Sequence, residues 1–254
     1  MTTLRPVTAD DHEAVNRVLR DMDPEEADDA AEALETDPDS FRLVMRDGGV
    51  VGFVGLHRIP DTESAAWLSH TGFVTGTDAS TIQAALGEQA VAASDNGITR
   101  LFAAEVDDPD DPEQLEFLTL LKSVGFQEAT RVPDFYGRGE DGVWLEATLV
   151  EETAYPRPND ARGVDVTDIV PHTESDSAWV LSWEPTAGRA TDARAMEKWL
   201  KKPRRKRATV VVASGPSDMP NAATQFESAG FRRAGRLTDF YAPGHHELQF
   251  YFPL

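Results

Sequence analysis

The chain has 254 residues, 40% of them hydrophobic, enough for one large cored domain or two small ones. It has no cysteine, which excludes a disulfide framework, a thiolate metal site and a cysteine nucleophile. Its 45 Asp and Glu against 24 Lys and Arg give a net charge of −21, which argues against general binding to nucleic acid or to anionic membranes.

The opening Met1-Thr-Thr-Leu-Arg-Pro6 lacks the apolar stretch of a signal peptide, and residues 4–7 read as a short first strand. Thr8-Ala-Asp-Asp11 has the form of a capping box. Ala14, Val15, Val18, Leu19 and Met22 follow at helical spacing. A second, acidic helix is expected over residues 24–34. Strands at 41–45 and 50–56 flank Asp47-Gly48-Gly49, a hairpin turn in which glycine takes positive φ at no steric cost. Gly52 and Gly55 interrupt the second strand and point to a bulge or a close neighbour. A strand at 65–74 leads to a helix capped by Asp78 or Ser80, with Ile82, Ala85, Leu86, Ala90 and Ala93 on one face and Gly97 past its end. A buried strand is expected at 98–106, a helix at 115–124, and a closing hairpin from strands at 126–136 and 143–149. Both pairing types occur, which points to an α/β fold with a mixed central sheet flanked by helices. No apolar run approaches the ~20 residues of a membrane span. The six histidines show no HxxxH or HxH spacing, so no metal site is expected. These readings together describe a cytoplasmic protein, and the acid spread along the chain describes a halophilic one.

Landmarks then repeat. Gly125-Phe126, seven residues, and Asp134-Phe-Tyr136 return as Gly230-Phe231, seven residues, and Asp239-Phe-Tyr241. Ala65-Ala-Trp-Leu68 matches Ser177-Ala-Trp-Val180, and Thr77-Asp-Ala79 matches Thr191-Asp-Ala193. The order is the same each time, as in a tandem arrangement. The boundaries expected are a full copy at 1–150, a linker at 151–162 with its prolines and Asn-Asp, and a shortened copy at 163–254. The second copy offers one early strand, at 164–170, and no match for the hairpin at 41–56. One segment breaks the acidic pattern: Lys198, Lys201, Lys202, Arg204, Arg205, Lys206 and Arg207 crowd into ten residues. It reads either as a solvated helix end, or as an anion site for a cofactor phosphate or RNA.

The ordered set resembles the GNAT acetyltransferase superfamily. Leu4-Arg-Pro-Val-Thr-Ala-Asp-Asp11, Val50-Val-Gly-Phe-Val-Gly-Leu56, the strand-to-helix junction at 74–86 and Leu121-Lys-Ser-Val-Gly-Phe126 with Asp134-Phe-Tyr136 carry the resemblance across the first 150 residues. It implies a duplicated GNAT-type fold, acetyl-CoA as cosubstrate and an amine of a small molecule or protein as acceptor. It also implies that the glycine-rich turn and the helix start hold the cofactor's pyrophosphate, since unpaired N–H groups and a positive helix end attract anions. Carried over, that site is Phe73, Val74, Gly76, Thr77, Asp78, Ala79 and Ser80, with Gly188 and Arg189 in the second copy. The family's turn has more glycines, and Asp78 puts a negative charge where phosphates lie. The family often has a general-acid Tyr four residues before the Gly-Phe pair; Leu121 and Phe226 stand there. Acetyl transfer to an amine needs a base. The candidates are His70, whose pKa range suits it, Glu105 at the end of its strand, and Tyr136. The alternative is a non-catalytic ligand-binding or interaction module that kept the fold.

Overall fold

Strands β1 (Thr2–Pro6), β2 (Phe41–Arg46), β3 (Gly49–Arg58) and β4 (Ala65–Phe73) lie side by side in that order, antiparallel, and β5 (Arg100–Asp107) pairs parallel to β4. The computed structural model describes the whole chain except Asp61, Glu63, Tyr155, Pro156, Glu174 and Arg189, and the side chains of Ala9 and Glu25. Helices α1 (His12–Leu19) and α2 (Pro24–Thr36) lie between β1 and β2 in the chain. Their Val15, Val18, Ala30 and Leu34 pack with Phe41, Leu43, Val50 and Phe53 of the strands. Helix α3 (Ala79–Asp95) crosses from β4 to β5 and packs on β1, β2 and β3. Successive strand residues face opposite ways. Phe53 meets α1 and α2, so its buried neighbour Val54 faces the other side.

Helix α4 (Pro112–Ser123) leads to the hairpin β6 (Gln127–Gly137) and β7 (Glu140–Thr148). Then come β8 (Gly163–His172), β9 (Ser175–Thr186), α5 (Ala193–Trp199), α6 (Lys201–Arg205), β10 (Val210–Pro216), α7 (Pro220–Ser228), β11 (Arg232–Ala242) and β12 (His245–Pro253). The chain divides into two compact units. The first is Met1–Ala103, Thr119–Phe126 and Ala147–Glu151; the second is Ala104–Leu118, Gln127–Glu146 and Glu152–Leu254. In the second unit the strands follow the order β7-β6-β11-β12-β10-β9-β8. Its main core joins Val164, Ile169, Trp179, Met196, Leu200, Val211, Phe226, Phe231 and Phe250. Among the described residues no helix is long and apolar enough to cross a membrane.

The repeated landmarks have repeated structural roles. Trp67 pairs with Phe102 in the β4–β5 ladder, and Trp179 pairs with Val211 in the parallel β9–β10 ladder. The Thr99 N–H donates to the Ser64 carbonyl (2.8 Å) and that of Leu149 to the Thr99 carbonyl (2.9 Å). Thr209, Ser177 and Leu254 make the same two bonds, at 2.9 Å each. Gly125 and Gly230 both end their helices at positive φ, 105° and 96°. Asp134 and Asp239 are both left-handed, with φ of 55° and 52°. Each accepts the N–H of the glycine five residues on, Gly139 at 2.8 Å and Gly244 at 2.7 Å, and so braces its hairpin turn.

Several local expectations change. The helix expected at 115–124 starts at Pro112, because the Asp111 carboxylate accepts the N–H groups of Glu113 and Gln114 and caps it. The acidic helix runs on to Thr36. Gly52 and Gly55 do mark close neighbours: a Cβ on Gly55 would meet the Phe41 ring at 2.9 Å. The strand expected at 164–170 is β8, which pairs antiparallel with β9 as β3 does with β4.

Candidate functional site

In the first unit the β4–β5 ladder has three partner pairs, the last being Trp67 and Phe102, although β4 continues to Phe73. Just past that point β4 bulges: its register against β3 slips between Ser69 and Gly72, and His70 sits at φ 48°. A non-glycine residue in that region is a local strain that its surroundings must hold. The holding groups are aromatic. The His70 ring stacks over Phe41 at 6.3 Å between centroids, and the His57 ring meets it edge-on at 6.1 Å. Phe41 in turn meets His57 edge-on at 5.5 Å. The Nε2 of His57 is buried with no hydrogen-bond partner, as is the Ser69 hydroxyl. Burial, and then the neighbouring His70, push the His57 pKa down; Asp37 opposes them. His57 is therefore more readily neutral than an ordinary imidazole.

No sequence motif singles out His57. Strand alternation was the available signal: it puts His57 on the face of Gly55, two residues back, and Gly55 pairs with Phe41. The other two candidates lie in the second unit. Glu105 is half-buried on β5. Tyr136 is on β6, its ring edge-on to Phe135 at 4.8 Å, and it packs against a cluster that includes Val132, Ala178 and Val210. His70 thus keeps company with His57 and Phe41 in one unit, and Glu105 and Tyr136 belong to the other.

The turn after β4 is ordered by side chains. The Phe73 ring covers Gly52, and the Val74 N–H donates to the Val51 carbonyl (2.9 Å). The Thr75 N–H donates to the Asp21 carboxylate (2.8 Å). Gly76 takes φ 84° with open space around it. The Thr77 N–H and hydroxyl both donate to the Val74 carbonyl. Asp78 is the N-cap of α3 and accepts the Thr81 N–H at 3.1 Å. The hydroxyls of Ser80 and Thr81 also donate to its carboxylate, and Arg46 of β2 pairs with it. Ala79 and Ser80 form the first turn of the helix. This donor set is the kind an anion needs, and the chain's own carboxylate fills it.

In residues 163–254, Asp192 caps α5 the same way, accepting the Ala195 N–H at 2.9 Å. The Gly188 N–H donates to the Thr186 hydroxyl (3.1 Å), and Arg189 lies outside the described residues. The β9–β10 ladder also stops after three pairs. Here a side chain fills the gap: the Trp183 indole N–H donates to the Ser214 carbonyl at 2.8 Å, and its ring lies against Gly215 and Phe226. Leu121 and Phe226, in the places of the family's tyrosine, are fully buried core residues.

No protein-family model and no curated protein matches the chain. Solved structures do. One from Desulfovibrio desulfuricans, described as an acetyltransferase of the GNAT family, covers 59% of this chain and 100% of its own, with a TM-score of 0.51 at 20% identity. Aminoglycoside 6'-acetyltransferase type Ii covers 61% of this chain and 99% of its own, at 15% identity and a TM-score of 0.48. An aminoglycoside 6'-N-acetyltransferase complexed with coenzyme A covers 62% and 99%, at 13% identity and a TM-score of 0.47. At such identities the likeness speaks to architecture, and the first of these structures carries it. A mixed sheet flanked by helices, with a bulged β4 parted early from a parallel β5, gives this chain the GNAT acetyltransferase fold.

Proposed function

We propose that the protein transfers an acetyl group from acetyl-CoA to an amine of a small molecule or a protein, and that residues 1–150 carry the reaction. The observation behind this reading is the bulge on β4, which holds His70 beside His57 where the ladder to β5 ends. Residues 151–162 are then a linker, and 163–254 a shortened copy whose gap is plugged by Trp183. The matched bonds of Ser64, Thr99 and Leu149 with Ser177, Thr209 and Leu254 support the duplication. The acidic composition supports a cytoplasmic protein of a salt-adapted cell.

The donors around Asp78 fit the cofactor's pyrophosphate chemically, since Arg46, Ser80 and the Thr81 N–H already hold an anion. Asp78 must turn away for it, and as a half-exposed side chain it has room to do so. Acetyl-CoA supplies an activated acetyl group when bound. The chain's part is to take a proton from the acceptor ammonium, and His70 is the base. Burial, and then His70 itself, keep the neighbouring His57 on the neutral side of an ordinary imidazole. Glu105 and Tyr136 serve as the further candidates for proton transfer.

Calorimetry with desulfo-coenzyme A in molar KCl tests the reading. One site per chain is expected. His70→Gln should lower kcat for an accepted amine by about 10²- to 10³-fold, the range of a lost general base, with the affinity for the cofactor analogue unchanged. A second reading is favoured by Asp78 itself: the chain is a non-catalytic binding or interaction module whose anion site is permanently filled. Asp78→Asn keeps the cap, because Asn and Asp are equivalent there, and removes the charge. It should tighten cofactor binding about tenfold; no binding by either form sinks the enzyme reading and leaves the module.

A further inference from the structure

Elsewhere in the molecule five arginines are matched to acids, while Arg17, Arg42 and Arg58 donate to backbone carbonyls. Arg5 pairs with Asp11, Arg46 with Asp78, Arg131 with Glu128, Asp107 and Asp141, Arg162 with Asp160, and Arg233 with Glu227. The segment 198–207 differs in gathering seven cations into ten residues. It holds four of the chain's five lysines and three arginines, and among the described residues none of these seven forms an ion pair. The two that touch protein groups touch apolar or neutral ones. Lys202 reaches the Ile169 carbonyl (3.4 Å) and lies over the Trp179 ring at 5.2 Å, and Arg204 lies over Phe252 at 5.6 Å.

The cations are also aligned. The Leu200 N–H donates to the Met196 carbonyl and the Arg204 N–H to the Leu200 carbonyl, so α5 runs into α6 with helical bonding across the junction. Lys198, Lys201, Lys202 and Arg205 then stand at i, i+3, i+4 and i+7, which is one helix face. With Lys206 they line a single shallow depression of about 450 Å³. The stripe is about 10 Å long at 1.5 Å per residue. Like charges at this spacing cost helix stability, and in a chain with 45 acids a few would have neutralised them.

We propose that this stripe is a docking surface for a nucleic-acid phosphate backbone. A row of cations without acid partners matches a linear row of phosphates, and all seven residues are exposed. The net charge of −21 does not prevent it. Charges beyond about 8 Å are largely screened at 0.15 M salt, and beyond about 3 Å at 1 M, so the local cluster governs the contact.

The test is fluorescence anisotropy with a labelled 20-nucleotide RNA, and DNA of the same sequence, across a KCl series in which circular dichroism follows folding. Inorganic polyphosphate is the competitor. The variant is Lys198→Gln/Lys201→Gln/Arg205→Gln, which leaves Lys202 on Trp179. Wild type should bind, and the variant should lose at least tenfold. The slope of log K against log salt should flatten by about 2, at roughly 0.7 per lost contact on a single strand. Competition by polyphosphate at equal phosphate concentration shows that the phosphates are what the stripe reads. No binding by folded wild type at the lowest salt overturns the proposal. So does an equal loss on Arg20→Gln/Arg138→Gln, which lies off the stripe, or an unchanged affinity and slope in the triple variant.

Discussion

Two buried carboxylates set opposite pH dependences. Glu247 on β12 is 9% exposed, and burial pushes its pKa up although Tyr241 and Gln249 donate to it. The unfolded chain therefore loses this proton first as pH rises. Glu247 contributes stability at low pH, and that contribution fades as pH climbs from the ordinary carboxylate range through its raised folded value. Glu247→Gln should stabilise the protein by on the order of 1 kcal/mol at pH 7, the scale of relieving one poorly solvated polar group, with no gain at pH 4. Asp11 is the reverse case. The Arg5 guanidinium, and then Thr8, hold its carboxyl well below the usual range against the opposing effect of burial. Its contribution is complete above the ordinary carboxylate pKa and is lost as pH falls below about 4. Asp11→Asn should cost roughly 1 kcal/mol at pH 7, a modest figure because Arg5 is partly exposed, and progressively less as pH falls below the ordinary carboxylate range. Urea unfolding of Glu247→Gln at pH 4 and 7, and of Asp11→Asn at pH 2 and 7, checks both signs; profiles that move together would contradict this account.

Gly235 decides whether β11 can pair with β6. It stands opposite Thr130, and a Cβ there would run into the backbone carbonyl of Ala129 and come within 2.8 Å of the Thr130 Cβ. Backbone cannot rotate away as a side-chain tip can. Gly235→Ala should therefore cost about 1–3 kcal/mol, the range for overpacking. Gly48→Ala, in an open turn at φ 83°, is the comparison for backbone strain without crowding. A Gly235→Ala loss no larger than that of Gly48→Ala, by thermal or urea unfolding, would remove the close-approach explanation. Elements such as these were legible unevenly. Hydrophobic periodicity located each helix and strand of residues 1–150, and Gly52 and Gly55 signalled their crowded neighbours by interrupting an otherwise apolar strand. The α4 boundary was missed because Asp111 captures two N–H groups, and apolar spacing does not register a cap. The Asp-Phe-Tyr repeat was visible as a pattern. Its physical reason, a left-handed aspartate bracing a turn, was not.

Across the whole molecule, the site was less readable than the fold because its decisive contacts join distant positions. Trp183 fills a gap by bonding to Ser214, 31 residues away. Asp78 is held by Arg46, 32 residues earlier. A local motif shows neither partner. The closing hairpin lies within the first 150 residues, and in space β6 and β7 belong to the second compact unit. The Thr209 and Ser175 hydroxyls donate to the carbonyls of Asp134 and Phe135 on that hairpin, each at 2.5 Å, and β11 pairs along β6. The peptide bonds of the exposed residues 151–154 are then dispensable once the protein has folded. A protease cutting there should leave two fragments that migrate apart on a denaturing gel yet elute together as one species under native conditions. Fragments that part on the native column would contradict this. The amino-terminal piece produced alone should aggregate, because β6 would then present a bare strand edge. The hairpin behaves as a clasp sewn onto one piece of cloth and fastened into the other.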